Sequence, residues 1–233
     1  MRAVFLFTCE HGGNRIPARY RALFAGQRAL LDSHRGFDPG ALVTAKALAK
    51  AFDAPLVAAT VSRLLVDLNR SLGHRHVFSP MTRAAPTALR ARIVDEHYRP
   101  HRTEVERLVR GSVARGQRVI HIASHSFTPV LDGMVRTADV GLLYDPCRRP
   151  ESALCARWKD ALAVRAPALR VRRNYPYAGK GDGLTSYLRT RFGPAGYVGV
   201  ELEINQRIVA AGAPRFPALC RALTETLRSA TAG

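Results

Sequence analysis

The stretch Val4-Phe5-Leu6-Phe7-Thr8-Cys9-Glu10-His11-Gly12-Gly13-Asn14 decides how the rest of the chain is read. Six residues, apolar but for one threonine, with no alternation of polar side chains, are the pattern of a strand buried on both faces. Such a strand requires helices above and below it. It empties at once into a carboxylate, an imidazole and two glycines, so the first loop carries chemistry as well as a turn.

Working outward, apolar strand runs alternate with helical spacing. Pro39–Phe52 reads as a helix, Leu56–Ala59 and Leu64–Leu68 as strands. Apolar residues recur at helical spacing through Thr87–Arg115, interrupted at Pro100. Arg118–Ala123 is a further strand, Glu151–Ala163 a helix and Ala168–Arg172 a short strand. Asp182–Phe192 reads as a helix, Tyr197–Leu202 as a strand and Pro217–Ser229 as a closing helix. Strands interleaved with helices, without repeats or low-complexity linkers, predict one α/β domain over residues 1–233 with helices on both faces of the sheet.

Composition narrows the function classes. The 233 residues are 47% hydrophobic, which excludes a disordered or collagenous chain. No apolar run approaches the ~18 residues of a membrane-spanning helix. The N-terminus lacks the length and cleavage pattern of a signal peptide, and a cytoplasmic protein with reduced thiols is the expectation for Cys9, Cys147, Cys155 and Cys220. Lys and Arg outnumber Asp and Glu by 36 to 18. Only four of the 36 are lysines, at 46, 50, 159 and 180, so the excess is almost all arginine and is dispersed. A nucleic-acid face concentrates its basic residues and interleaves aromatics. Nucleic acid is therefore a disfavoured partner despite the charge.

The unusual polar residues collect where strands end, which is where ligands bind in a sheet covered on both faces. Glu10-His11-Gly12-Gly13-Asn14 follows the first strand, and Asp67-Leu68-Asn69-Arg70 closes the Leu64–Leu68 run. Ser124-His125-Ser126 follows Arg118–Ala123, and Glu201 and Glu203 interrupt an apolar strand. Alternation puts both glutamates on one face, and a buried carboxylate there needs a partner. His121 reads as a sheet-face histidine. His34, His74, His76, His97 and His101 have no companion motif and read as surface residues. Asp67 and Arg70 could form a structural ion pair. Two imidazoles and a carboxylate give zinc three ligands and leave one position for water, while a second carboxylate moves the proton. A serine hydrolase is disfavoured by the missing Gly-x-Ser-x-Gly elbow, and a Cys9 nucleophile by its place inside a strand.

The chain resembles the N-formylglutamate amidohydrolase family over nearly its whole length. The likeness runs through Cys9–Pro17, Gly36-Phe37-Asp38-Pro39-Gly40-Ala41, Ser62–Ser71, His125-Ser126-Phe127-Thr128-Pro129, Asn174–Gly179 with Asp182-Gly183, and Gly199–Gln206. The family is similar in turn to zinc carboxypeptidases, which implies a three-layer α/β/α sandwich around a mixed β-sheet. The resemblance implies His11 and His125 as zinc ligands, with cobalt(II) as an alternative metal. It implies Asn69 and Arg70 as the grip on a substrate carboxylate and Glu201 as general base. Asn14 stands where carboxypeptidases carry a ligating glutamate. Asp38 is the first choice for the missing carboxylate, against its other reading as a helix N-cap before Pro39. Arg63 is the candidate for the oxyanion, and Asn174 and Tyr177 for the loop that closes the pocket. Arg173 or Arg189 could meet a side-chain carboxylate. The substrate expected is a small anionic N-acyl amino acid, formylglutamate first. Another N-acyl amino acid, a short peptide, or a basic nucleic-acid-binding protein with a degenerate site are the alternatives.

Overall fold

A computed structural model describes residues 2–232. Six strands form one mixed sheet in the order β2-β1-β3-β8-β6-β7, and β4 and β5 form a separate hairpin. Strands β1 (Ala3–Cys9), β2 (Leu56–Ala58), β3 (Arg118–Phe127) and β8 (Tyr197–Asn205) run parallel. The direction reverses once, where β6 (Val140–Leu143) pairs antiparallel with β8, and β7 (Val171–Arg173) runs parallel to β6. The hairpin joins β4 (Val130–Leu131) to β5 (Met134–Val135). Chain order runs from β1 to β2 on one side and then to β3 on the other. The C-terminal ends of β1 and β3 therefore flank a topological switch, the crevice in which open α/β sheets bind ligands.

Alternation along β3 and β8 sorts the two faces. Ile120, Ile122, Val198, Val200, Leu202 and Ile204 turn toward a core shared with Leu48, Trp158, Leu162 and Leu223. That layer is the helices Ala41–Phe52, Arg149–Arg165 and Arg215–Thr231. Trp158 is its largest buried side chain, and the indole N–H donates to Thr226 Oγ1 at 3.1 Å. Truncating it to alanine removes about 3–5 kcal/mol. On the opposite face Val119 and Tyr197 join Leu6, Val105, Val109, Leu184 and Leu188 beneath the helices Arg99–Ala114 and Leu184–Arg191. The sheet is thus the middle of three layers. A further cluster of Ile16, Tyr20, Leu65, Val66, Leu68, Ile93 and Tyr98 is built by the segment between β1 and the Arg99–Ala114 helix.

Several expectations need correction. Leu64–Leu68 is no strand but a buried turn of the connecting segment, because its leucines pack into that third cluster and leave the sheet edge to β2. Strand β6 and the β4–β5 hairpin escaped notice, since Val140–Leu143 is only four residues long and contains Gly141. Strand β3 continues four residues past Ala123, so His125 is a strand residue. Pro100 does not interrupt the helical stretch, because it sits in the first turn of Arg99–Ala114 after a π-helical turn at Val94–Tyr98. All four cysteines are free thiols, and only Cys147 is exposed. Among the described residues no helix is long and apolar enough to cross a membrane.

Candidate active site

His11, two residues past the end of β1, and His125, on β3, are brought together at the switch between their strands. Their rings meet edge to face with centroids 5.1 Å apart. The extended strand β3 allows this: His125 faces the same side as Val119, two residues short of the strand end. Asp38 joins them. Its Oδ2 lies 3.3 Å from His11 Nδ1 and 3.0 Å from His125 Nδ1. One ligand atom from each of the three buried residues falls within 4.8 Å of the others. Asp38 does not cap the following helix, whose N-cap is Gly40 at φ 81°, so its carboxylate is free for the histidines.

The outer edges of both rings face carboxylates. His11 Nε2 lies 2.7 Å from Asp67 Oδ1. His125 Nε2 and Glu10 Oε2 approach to 3.1 Å without the alignment of a hydrogen bond, and both atoms lack a hydrogen-bond partner. Carboxylates in these positions fix which ring nitrogen points at a metal. Arg63 bridges the two aspartates, donating from Nη2 to Asp67 at 2.8 Å and from Nη1 to Asp38 at 3.3 Å. Asp67 is therefore not paired with Arg70, whose guanidinium donates to the Asp182 carbonyl at 2.9 Å. His101 is no surface residue. It is buried, with Nε2 3.4 Å from Glu10 Oε1.

Charge at this point is unbalanced. Burial pushes the Asp38 and Asp67 carboxyls up, but the neighbouring His11 and Arg63 outweigh it and hold both well below the carboxylate range. Glu10 is likewise raised by burial and lowered further by His101 and His125. Burial disfavours the charged form of His125, yet Asp38 and Glu10 hold its proton well above the usual histidine range. For Glu203, register partner of His125, burial wins: His125 and Arg63 pull its carboxyl down, but burial, with Asp38 and Glu201 adding, pushes it up to about 8. Its Oε2 has no hydrogen-bond partner. Four buried carboxylates thus gather around one guanidinium and three imidazoles, those of His11, His101 and His125. His11, Asp38 and His125 form a buried set that could hold a metal ion, and two imidazoles with one carboxylate are a donor set of the kind zinc takes.

Glu201 lies two register pairs deeper on β8, on the same face, beside Ala123. Its Oε1 accepts from Thr185 Oγ1 at 2.9 Å, at the start of the Leu184–Arg191 helix. Asn69 Oδ1 accepts from the Leu184 N–H at 2.7 Å, so the Asn69-Arg70 turn is pinned against the same helix start. Asn174 closes its own loop, its Oδ1 accepting from the Tyr144 and Gly179 N–H groups. Tyr177 is 46% exposed on that loop and accepts from Arg136 Nη1 at 2.9 Å. Arg189 is committed to Glu151 at 3.0 Å, and Arg173 is exposed on β7 at the far edge of the sheet. His121 is a sheet-face histidine held between Thr8 Oγ1 at 2.8 Å and Tyr197 Oη at 2.7 Å; burial lowers it to about 4 and keeps it neutral. The residues that sequence reasoning undervalued are Glu10, Asp67, His101 and Glu203. For Glu10 and Glu203 a signal existed, a carboxylate inside or against an apolar strand; for His101 there was none.

Comparison with known proteins adds three findings. The family model for N-formylglutamate amidohydrolase matches residues 3–210. The structure of gene product Atu2144 from Agrobacterium tumefaciens superposes with a TM-score of 0.82 at 32% identity, covering 98% of this chain and 90% of that one. The N-formylglutamate amidohydrolase from Ralstonia eutropha JMP134 superposes with a TM-score of 0.69 at 22% identity, covering 99% and 94% of the two chains. Among curated proteins the chain finds no match.

Proposed function

Because the chain belongs to the N-formylglutamate amidohydrolase family, we propose that it hydrolyses the formyl amide of an N-formyl amino acid to formate and the free amino acid, in a metal-dependent reaction. The observation that supports this reading most is the convergence of His11, Asp38 and His125 within 4.8 Å at the sheet's switch point. These three residues are the metal ligands in this reading, and zinc is the metal their donor set suits. When bound, the ion polarises the amide carbonyl and lowers the pKa of water to ~7.

The remaining roles fall to the chain's own side chains. Glu201 takes the proton of the attacking water and returns it to the leaving amine. Its partly exposed carboxylate is steadied by the Thr185 hydroxyl. Arg63 sits beside Asp38 and donates toward the oxygen that gains charge at the former carbonyl. Asn69 and Arg70 hold the α-carboxylate, and the loop shaped by Asn174 and carrying Tyr177 shuts out water. One observation favours a second assignment of the proton transfer: Glu203 is buried, its Oε2 has no hydrogen-bond partner, and it is the register partner of His125. Such a group suits the acid half of the cycle.

A formate-release assay with formylglutamate, with and without chelator, tests the reading; activity that survives complete metal removal refutes it. Glu201→Gln and Glu203→Gln, each with metal content measured, separate the two proton-transfer assignments. The variant that keeps its metal and loses at least 100-fold in kcat identifies the base.

A further inference from the structure

Glu10 and His101 are buried, ionisable and unused by the chemistry proposed above. We propose that His101 is a positioning residue for the metal centre: acting through Glu10 it fixes the ring of His125, so that a side chain on the Arg99–Ala114 helix helps to set the affinity of the site for zinc. The inference rests on the metal-dependent reading and adds to it a residue outside the ligand set.

The contacts run in one line. His125 turns its inner nitrogen, Nδ1, to Asp38 Oδ2 at 3.0 Å, within the cluster of candidate ligands. Its outer nitrogen, Nε2, faces Glu10 Oε2 at 3.1 Å. The other oxygen of that carboxylate, Oε1, accepts from His101 Nε2 at 3.4 Å. His101 shares the buried side of its helix with Val105 and Val109, which pack beneath the sheet against Leu6 and Val119. The helix therefore delivers the imidazole to Glu10 as part of the same packing that holds β1 and β3.

What singles out His101 is how little else holds Glu10. Asp67, the carboxylate that faces the outer nitrogen of His11, is gripped from several sides. It accepts from the Asn69 N–H at 2.9 Å and from Arg63 Nη2 at 2.8 Å and Nε at 3.2 Å. Glu10 has no arginine and no main-chain donor. Among the described residues His101 is its single hydrogen-bond partner, and Glu10 Oε2 and His125 Nε2 face each other without one. Without the His101 N–H a fully buried carboxylate has no donor at all, an arrangement that folds do not retain. Once Glu10 turns away, the outer nitrogen of His125 has nothing to bear on, and the ring no longer holds one nitrogen toward the cluster. On its far side His101 lines a cavity of about 300 Å³ with Arg15, His97 and Glu104, which leaves room for other side chains at position 101.

The test measures zinc affinity by chelator competition, and the visible spectrum of the cobalt(II)-loaded protein, on the full-length chain. The variants are His101→Phe, His101→Leu, His101→Gln, Glu10→Gln and the double variant Glu10→Gln/His101→Phe. Each apolar variant is expected to lose about 10- to 100-fold in zinc affinity and to shift the cobalt spectrum. His101→Gln, whose amide N–H can donate to Glu10, should stay within about threefold of the parent. In the Glu10→Gln background His101→Phe should cost less than about threefold more, because the link it acts through is already changed. Unchanged affinity in whichever apolar variant folds overturns the assignment, even where the metal-free protein melts earlier. An equal loss in His101→Gln, or a full loss in the Glu10→Gln background, overturns it too. A parent that binds neither zinc nor cobalt refutes the metal-dependent reading and this inference with it, whereas a parent that binds zinc beside an unchanged His101→Phe refutes this inference alone. The expected losses uphold it even if no formyl substrate is cleaved.

Discussion

Glu203 offers a direct measure of the charge imbalance at the site. In metal-free protein its carboxyl is pushed up to about 8, against 4.5 for the ordinary side chain. The folded protein therefore keeps a proton that the unfolded chain releases above pH 4.5. Wherever the folded state binds more protons, stability falls as pH rises. The loss begins near 4.5, accumulates to about 8 and then levels off. At about 1.4 kcal/mol per pH unit, the interval from pH 5 to 8 removes about 4 kcal/mol. Glu203→Gln has the shape of the protonated acid and no titration, so it escapes this loss. For a chain of this size each kcal/mol moves the midpoint by ~2–4 °C, so the variant should gain roughly 8–16 °C on the parent between pH 5 and pH 8. Thermal unfolding of chelator-treated protein at half-unit pH steps reads the difference. Adding zinc should shrink it, because the ion supplies the positive charge the carboxylates lack. Parallel curves for parent and variant without metal would refute the argument, showing that Glu203 ionises at no cost in the fold.

Two further outcomes follow from the geometry. His125→Ala should lower zinc affinity by at least 100-fold in a chelator competition, whereas His121→Phe, which removes a histidine of the same strand outside the cluster, should leave affinity within about threefold. A Cβ at Gly141 would overlap the Tyr175 carbonyl oxygen, so Gly141→Ala should destabilise the protein by about 1–3 kcal/mol in urea unfolding and raise KM by displacing the Asn174–Gly179 loop.

What the sequence disclosed and what it hid have physical reasons. Strands β1, β3 and β8 are buried on both faces, so their apolar runs stand out, and the histidines and glutamates at their ends stand out against them. Asp38 was legible only as a choice between ligand and cap, because Asp before Pro-Gly fits both; the helix starting after Gly40 resolves it. Leu64–Leu68 misled because a turn buried in its own cluster is as apolar as a strand, and local pattern does not report what it packs against. Asp67 and Arg63 are four residues apart, but their meeting with His11 depends on contacts across more than 50 positions. His101 and Glu10 are separated by 91 residues and meet through the packing of the Arg99–Ala114 helix, which no spacing rule encodes.

The two signs of charge divide by depth, and that division fits the proposed chemistry. The chain carries 18 acidic residues against 36 basic ones. Four of its few carboxylates, Glu10, Asp38, Asp67 and Glu203, are nonetheless buried together at one end of the sheet. Burying like charges costs several kcal/mol per ion unless a counter-ion shares the site; here Arg63 and protonated His125 stand against Glu10, Asp38 and Asp67, and Glu203 is held toward its neutral form. In the proposed reading, this concentration of carboxylates is what draws a divalent cation to His11, Asp38 and His125. The arginine-rich surface outside it does the opposite, raising the local concentration of an anionic substrate at the mouth. An amidohydrolase that handles an acidic N-acyl amino acid needs both fields within a few ångströms. Arg63 is tied to the two buried aspartates, whereas Arg70 is held nearer the surface by the Asp182 carbonyl. The net charge that first suggests nucleic acid is accordingly most useful where it is least uniform, across the short step from the buried acids to the guanidinium groups above them.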